Sequence, residues 1–160
     1  MSDWTKAVLT LISGILVGII LDPLKHWVGT YFAAWRARKA IYGELGDIYY
    51  SFVLLNDGLP EYYKILLSRF TPSAFQFYYD THREAFYRLN GWQYLVGFYE
   101  SLQGIKREVL EGRATSQIEG QIRNEFEFRF KSGQMDKKSV LDCADKIQKE
   151  RRAAMKRVTR

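Results

Sequence analysis

The chain has 160 residues, a formal charge of +6, and 47% apolar and 16% aromatic side chains, which is the size and mixture of one folded domain. Its single cysteine, Cys143, excludes an internal disulfide framework, and its two histidines exclude a multi-histidine or Cys/His zinc centre. Nine Lys or Arg against four Asp or Glu fall in 136–160, so the basic character belongs to the tail and the rest is close to neutral.

The first element is the run Ala7 to Leu21, fifteen uncharged residues of which ten are Leu, Ile or Val. That is shorter than the roughly 18 residues usually needed to span a bilayer. The flanks extend it. Trp4 and Trp27 bracket the run, and the steps between them cover about 34 Å at a helical rise of about 1.5 Å, matching a hydrocarbon layer of about 30 Å with an indole at each interface. Lys6 and Lys25 can snorkel outward on their aliphatic stems. A cleaved signal peptide would need a small-residue site after Leu21, where Asp-Pro-Leu-Lys stands instead. A soluble core would have to hide a segment apolar on every side within a short chain. The preferred reading is a retained single-pass anchor over 1–22. Lys6 alone precedes the run, whereas Lys25, Arg36, Arg38 and Lys39 follow it, so the N-terminus is expected outside a bacterial inner membrane and the remainder in the cytoplasm.

Asp22-Pro23 reads as an N-cap followed by proline at the first helical position, which predicts a second helix starting at a kink and running through "LKHWVGTYFAAWRARKAIYGEL". Trp27, Tyr31, Phe32 and Trp35 recur at helical spacing and form an interfacial aromatic stripe. "NDGLP" at Asn56 to Pro60 is a turn cluster, and Thr71-Pro72-Ser73 repeats the cap-then-proline start. Leu89-Asn90-Gly91 ends the next helix, after which "WQYLVGFYESLQGIKREVL" resumes helical spacing. In "NEFEFRFK" the phenylalanines alternate as in a strand, but Glu125 with Arg129 and Glu127 with Lys131 are acid-before-base pairs four apart, and Ser116 with Glu119 resembles a capping box, so a helix is expected. Ser139 is expected to cap a last helix with Val140, Ala144 and Ile147 on its packed side. The whole is an all-α chain: an anchor over 1–22, a compact helical cytoplasmic domain over 23–135 and a basic helix over 136–160. The dense Tyr and Phe clusters of that domain are read first as core and second as a protein contact surface.

Chemistry-bearing motifs are few. Asp80, His82 and Glu84 offer an acid, a base and a second carboxylate, the weak candidates for a catalytic site. On one continuous helix, however, Asp80 and Glu84 share a face and neither points with His82. No Gly-rich phosphate loop, nucleophile elbow or metal-binding motif appears, so neither a cofactor nor a metal is expected. The anchor is more informative. Thr10, Gly14, Gly18 and Asp22 lie four apart with Ser13 adjacent, and Gly14-x-x-x-Gly18 is the spacing that lets helix backbones approach in lipid, which predicts self-association; gathered copies would place Thr10, Ser13 and Asp22 on a polar path. Lys149, Arg151, Arg152, Lys156 and Arg157 crowd the tail, where they would meet anionic lipid or, less favoured, nucleic acid.

In the order of its parts, "LISGILVGIILDPLKHWV" followed at once by a helical domain, the chain resembles small bacterial membrane effector or accessory proteins, including those that accompany anti-phage systems. The resemblance implies a self-assembling, non-catalytic membrane protein that acts as an adaptor or membrane-perturbing effector, with lipid, further copies of itself and a cytoplasmic protein as partners. It carries over no functional residue. The alternative is a membrane-tethered enzyme with a site around Asp80, His82 and Glu84.

Overall fold

The computed structural model describes residues 3–55, 60–112 and 117–158, and every regular element among them is helical. The first helix, α1, runs without interruption from Asp3 to Tyr49, and its 47 residues make a rod of about 70 Å. The expected break at Asp22-Pro23 is absent because Pro23 lies inside the helix. One proline removes one backbone bond at a cost of about 3 kcal/mol, whereas ending the helix there would leave eight backbone groups unpaired across the two new termini. Continuation is the cheaper solution.

α1 changes character along its length. Its N-terminal half keeps Leu11, Ile12, Ile15, Val17, Ile19 and Ile20 on the surface, while Ala37, Ile41, Leu45 and Ile48, spaced four, four and three apart, are almost fully buried. The described residues contain one helix long and apolar enough to cross a membrane, and it is this one. A π-helical turn, Tyr50–Leu54, follows directly, with the Leu55 amide donating to the Tyr50 carbonyl at 3.0 Å. The extra residue per turn buries Tyr50, Ser51, Phe52 and Val53 together.

Six shorter helices surround the buried half: α2 (Pro60–Arg69), α3 (Ser73–Thr81), α4 (Arg83–Tyr87), α5 (Trp92–Leu110), α6 (Ile118–Lys131) and α7 (Lys137–Val158). The aromatic clusters meet in the middle as expected, with Phe75 stacked on Tyr99 at 4.1 Å, Phe98 against Phe126 at 4.7 Å, and Phe126 edge-on to Tyr49 at 5.1 Å. α6 is the helix that its charge pairs predict. Arg129 reaches Glu125 at 2.8 Å and Lys131 reaches Glu127 at 3.4 Å, Phe126 is buried, and Phe128 is exposed because it lies on another face of the helix rather than across a strand.

Helix starts depart from the local pattern at several points. Ser116 and most of the Asn56 to Pro60 turn lie outside the described residues, and α6 begins after Gln117 with no side-chain cap. The Thr71 side chain does not cap α3; instead the Ala74 amide donates to Glu44 Oε2 on α1 at 2.8 Å, a cap supplied across the core. α7 is capped by Asp136 rather than Ser139: the Ser139 hydroxyl donates to Asp136 Oδ2 at 2.6 Å and its amide donates to Oδ1 at 3.4 Å. Val140 and Ala144 are buried as expected, and Ile147 is half-buried.

α7 packs along α1 closely enough that a Cβ on Gly46 would fall 2.5 Å from the Cys143 Cβ. The direction of α7 follows from its contacts. Asp136 pairs with Arg38 at 3.1 Å and Arg151 with Asp47 at 3.0 Å, so α7 runs parallel to α1 and away from its apolar half.

Candidate functional site

The apolar half of α1 carries its aromatic markers outward, with Trp4 77% and Trp27 57% exposed. Tyr31, Phe32 and Trp35 continue the exposed surface, Trp27 stacks on Tyr31 at 6.0 Å, and the Lys39 ammonium lies 5.4 Å from the Trp35 ring. Along the small-residue face, a Cβ on Gly14 or Gly18 would meet nothing within 4 Å, and Gly14 lies in a shallow depression with Thr10, Leu11 and Ile15. The hydroxyls of this face are already engaged. Thr10 Oγ1 donates to the Lys6 carbonyl and Ser13 Oγ to the Thr10 carbonyl, both at 2.9 Å, which satisfies them within their own helix and weakens the case for a polar path.

The catalytic candidates do not assemble as one face. His82, at φ −122° and ψ 48°, separates α3 from α4, so Asp80 and Glu84 sit on different helices. All three side chains are exposed. His82 packs on Phe77 at 4.9 Å between ring centroids. Glu84 turns the other way, toward α1, where its Oε1 lies 3.7 Å from His26 Nε2 and 3.6 Å from Arg88. This creates a groove of about 570 Å³ between α1 and the α3/α4 corner, lined by Lys25, His26, Gly29 and Ala33 on one side and His82, Arg83 and Glu84 on the other. Asp80 is not part of its lining. Sequence reasoning missed the pairing of His26 with Glu84, which lie far apart in the chain. No local spacing around His26 or Glu84 signals that pairing.

A second cavity of about 600 Å³ opens farther along α1 between Trp35, Arg38 and Tyr42 and the turns at Gly91 and Gly133. Its two arginines are held by carboxylates, Arg38 by Asp136 and Arg88 by Glu84. The Asp136 carboxyl is held below its ordinary range, first by the Ser139 hydroxyl and then, against the opposing effect of partial burial, by backbone amides and Arg38. Deeper in, the Tyr99 hydroxyl is pushed well above its usual range by burial and then by the charge of Glu44. Among the described residues no group of His, Cys, Asp and Glu is arranged to hold a metal ion.

The basic tail is placed far from the apolar half. Arg151 is tied to Asp47 and lies 5.1 Å from the Tyr50 ring. Asp47 is 26 residues beyond Leu21, about 39 Å along the helix, several times the screening length of about 8 Å at physiological salt. Lys149 and Arg152 are exposed on the same distal segment. The expected contacts of Lys156 and Arg157 lie outside the described side chains. Among known proteins, no family model, no curated protein and no solved structure matches the chain.

Proposed function

We propose that the chain is a single-pass membrane protein of the bacterial inner membrane, N-terminus outside, that self-associates through the Gly14/Gly18 face and presents a non-catalytic helical cytoplasmic domain as an adaptor or membrane-perturbing effector, as in anti-phage defence. Its partners are membrane lipid, further copies of itself and a cytoplasmic protein recognised by the domain.

One observation carries the reading: the same unbroken helix exposes apolar side chains in its first half and forms the domain core in its second. Exposed isoleucine, leucine and valine around a helix gain roughly 25 cal/mol per Å² of apolar surface on leaving water, which supports insertion in lipid. The open surface at Gly14 and Gly18 supports close helix approach, since among the described residues no side chain fills it. A helix with no joint between anchor and domain passes a tilt or rotation of one directly to the other, which suits an effector triggered by assembly. Asp80 and Glu84 sit on different helices, an arrangement that favours this reading over an enzyme site using both carboxylates.

The test is carbonate extraction of membranes, followed by the mass of the detergent-solubilised protein for the wild type and for Gly14→Ile/Gly18→Ile. The proposal expects the wild type in the membrane pellet as an oligomer and the variant in the pellet as a monomer that no longer permeabilises lipid vesicles. Recovery of the wild type in the soluble fraction removes the anchor, and an unchanged oligomer in the variant removes the glycine seam.

A further inference from the structure

We propose that the groove between α1 and the α3/α4 corner binds the phosphodiester of an anionic membrane phospholipid, with Lys25 and Arg83 as the principal contacts and His82 beside them. The inference rests on the membrane reading above and assigns the headgroup contact to a different surface from the basic tail.

Position is the first argument. With a hydrocarbon layer of about 30 Å centred between Trp4 and Trp27, Lys25 and His26 stand at its edge, next to a headgroup layer of roughly 5 to 8 Å per leaflet. The groove therefore opens beside the phosphates, whereas Asp47, which holds Arg151 of the tail, lies about 33 Å beyond Lys25 along α1.

Charge is the second. The lining holds Lys25, Arg83 and two imidazoles against one carboxylate, Glu84, and that carboxylate is already engaged by His26 and Arg88. Among the described residues neither Lys25 nor Arg83 makes an ion pair. Two cations without an ion pair, one a compact ammonium on α1 and one a planar fork on α4, line the same groove, and a phosphodiester accepts charge-assisted hydrogen bonds from both types of group.

Shape is the third. A Cβ on Gly29 would meet nothing within 4 Å, so the floor is open backbone and leaves room for a headgroup. Ile19 and Ile15, seven and eleven residues before His26 and so on the same face of α1, are exposed, and the acyl chains of the same lipid lie along them. A carboxylate ligand from a protein partner would match the charge but not this apolar continuation.

Native mass spectrometry of the full chain in detergent, titrated with phosphatidylglycerol, tests the site. At about 1 kcal/mol for each basic residue facing anionic lipid, Lys25→Gln/Arg83→Gln should weaken retention roughly thirtyfold. Both side chains are exposed, so the fold should survive. The charge-keeping K25R/R83K should restore most of the loss, and K149Q/R152Q should behave as the wild type. Retention by K25Q/R83Q equal to the wild type overturns the inference, and so does displacement of the lipid by an equal concentration of inorganic phosphate, which would mark a soluble anion as the ligand. Carbonate extraction of the same preparations keeps the two readings apart: a wild type in the pellet whose lipid retention ignores K25Q/R83Q refutes the groove alone, and a wild type in the supernatant refutes the membrane anchor.

Discussion

Replacing Gly46 by alanine puts a methyl group where α1 and α7 touch. The added Cβ would lie 2.5 Å from the Cys143 Cβ, 2.9 Å from the Ala144 amide nitrogen and 3.0 Å from the Cys143 carbonyl carbon. Ordinary carbon contacts are about 3.5 to 4.0 Å, so α7 must move outward by about 1 Å. Two of the three atoms are backbone, which cannot rotate away as a flexible side chain would. Overpacking of this kind costs about 1 to 3 kcal/mol, and alanine returns up to about 1 kcal/mol through its better helix propensity. The net loss should be about 1 to 2 kcal/mol, a fall in Tm of roughly 4 to 12 °C for a domain of this size. Thermal unfolding of the full chain in detergent, followed by far-UV circular dichroism, measures it. Cys143 gives a local reading in parallel, because burial, and next the charge of Asp142, raises its thiol pKa against the smaller opposing effect of Lys146. Lifting α7 should make maleimide labelling at neutral pH faster in the variant. A Tm that stays the same or rises, with labelling unchanged, would show that α7 does not lie on Gly46 and would remove the parallel α1/α7 packing from which the tail's position is deduced.

Asp136→Ala should cost about 0.5 to 2 kcal/mol through loss of the α7 cap, and Asp136→Asn much less because asparagine also caps well, as compared by urea unfolding. Because the folded-state carboxyl of Asp136 titrates below the unfolded one, its contribution is complete above the ordinary value of about 3.9 and disappears as pH falls through the folded value, so the gap between wild type and Asp136→Ala should close in acid. Glu44→Ala should cost about 1 to 3 kcal/mol by leaving the partly buried Ala74 amide without an acceptor, whereas Glu44→Gln, which keeps one, should lose less in the same assay.

Much of the architecture was legible because the signals were local. The helical period of α5, the acid-before-base pairs of α6 and the apolar side of α7 each depend on residues three or four apart, and each helix formed where those spacings lie. The membrane-length run was legible for the same reason. What failed was what depended on distant partners. The α3 amide is capped by Glu44, 30 residues upstream, and no inspection of Thr71-Pro72-Ser73 reveals that. The helix through "YYDTHREAF" breaks at His82, although its spacing allowed one continuous helix. Phe86, fully buried, and Glu84, facing His26, are each satisfied by turning the chain onto α1. The same turn separates Asp80 from His82 and Glu84 and brings the latter two into the groove with Lys25 and Arg83. The candidate site was therefore hidden for one physical reason: its two walls meet only through tertiary packing.

Asp22 decides whether anchor and domain are one body. If Asp22 capped a new helix, its carboxylate would accept bonds from the amides of the first turn, and Asp22→Ala would destabilise that turn by about 0.5 to 2 kcal/mol. Amides just after Pro23 would then exchange with solvent deuterium roughly 2- to 30-fold faster in the variant. In the continuous α1 the residue is interior, its own backbone is already bonded on both sides, and alanine is the better helix former by up to about 0.7 kcal/mol. Exchange over 24–30 should then be unchanged or up to about threefold slower. The measurement belongs in lipid nanodiscs on the full chain, with 37–48 of α1 as the internal reference, since those amides lie in the core whichever helix arrangement is correct. Faster exchange confined to 24–30 would restore a joint at Asp22-Pro23. With a joint there, a tilt of the anchor would be absorbed before it reached Ala37, and assembly in the bilayer would have no rigid path to the helical domain.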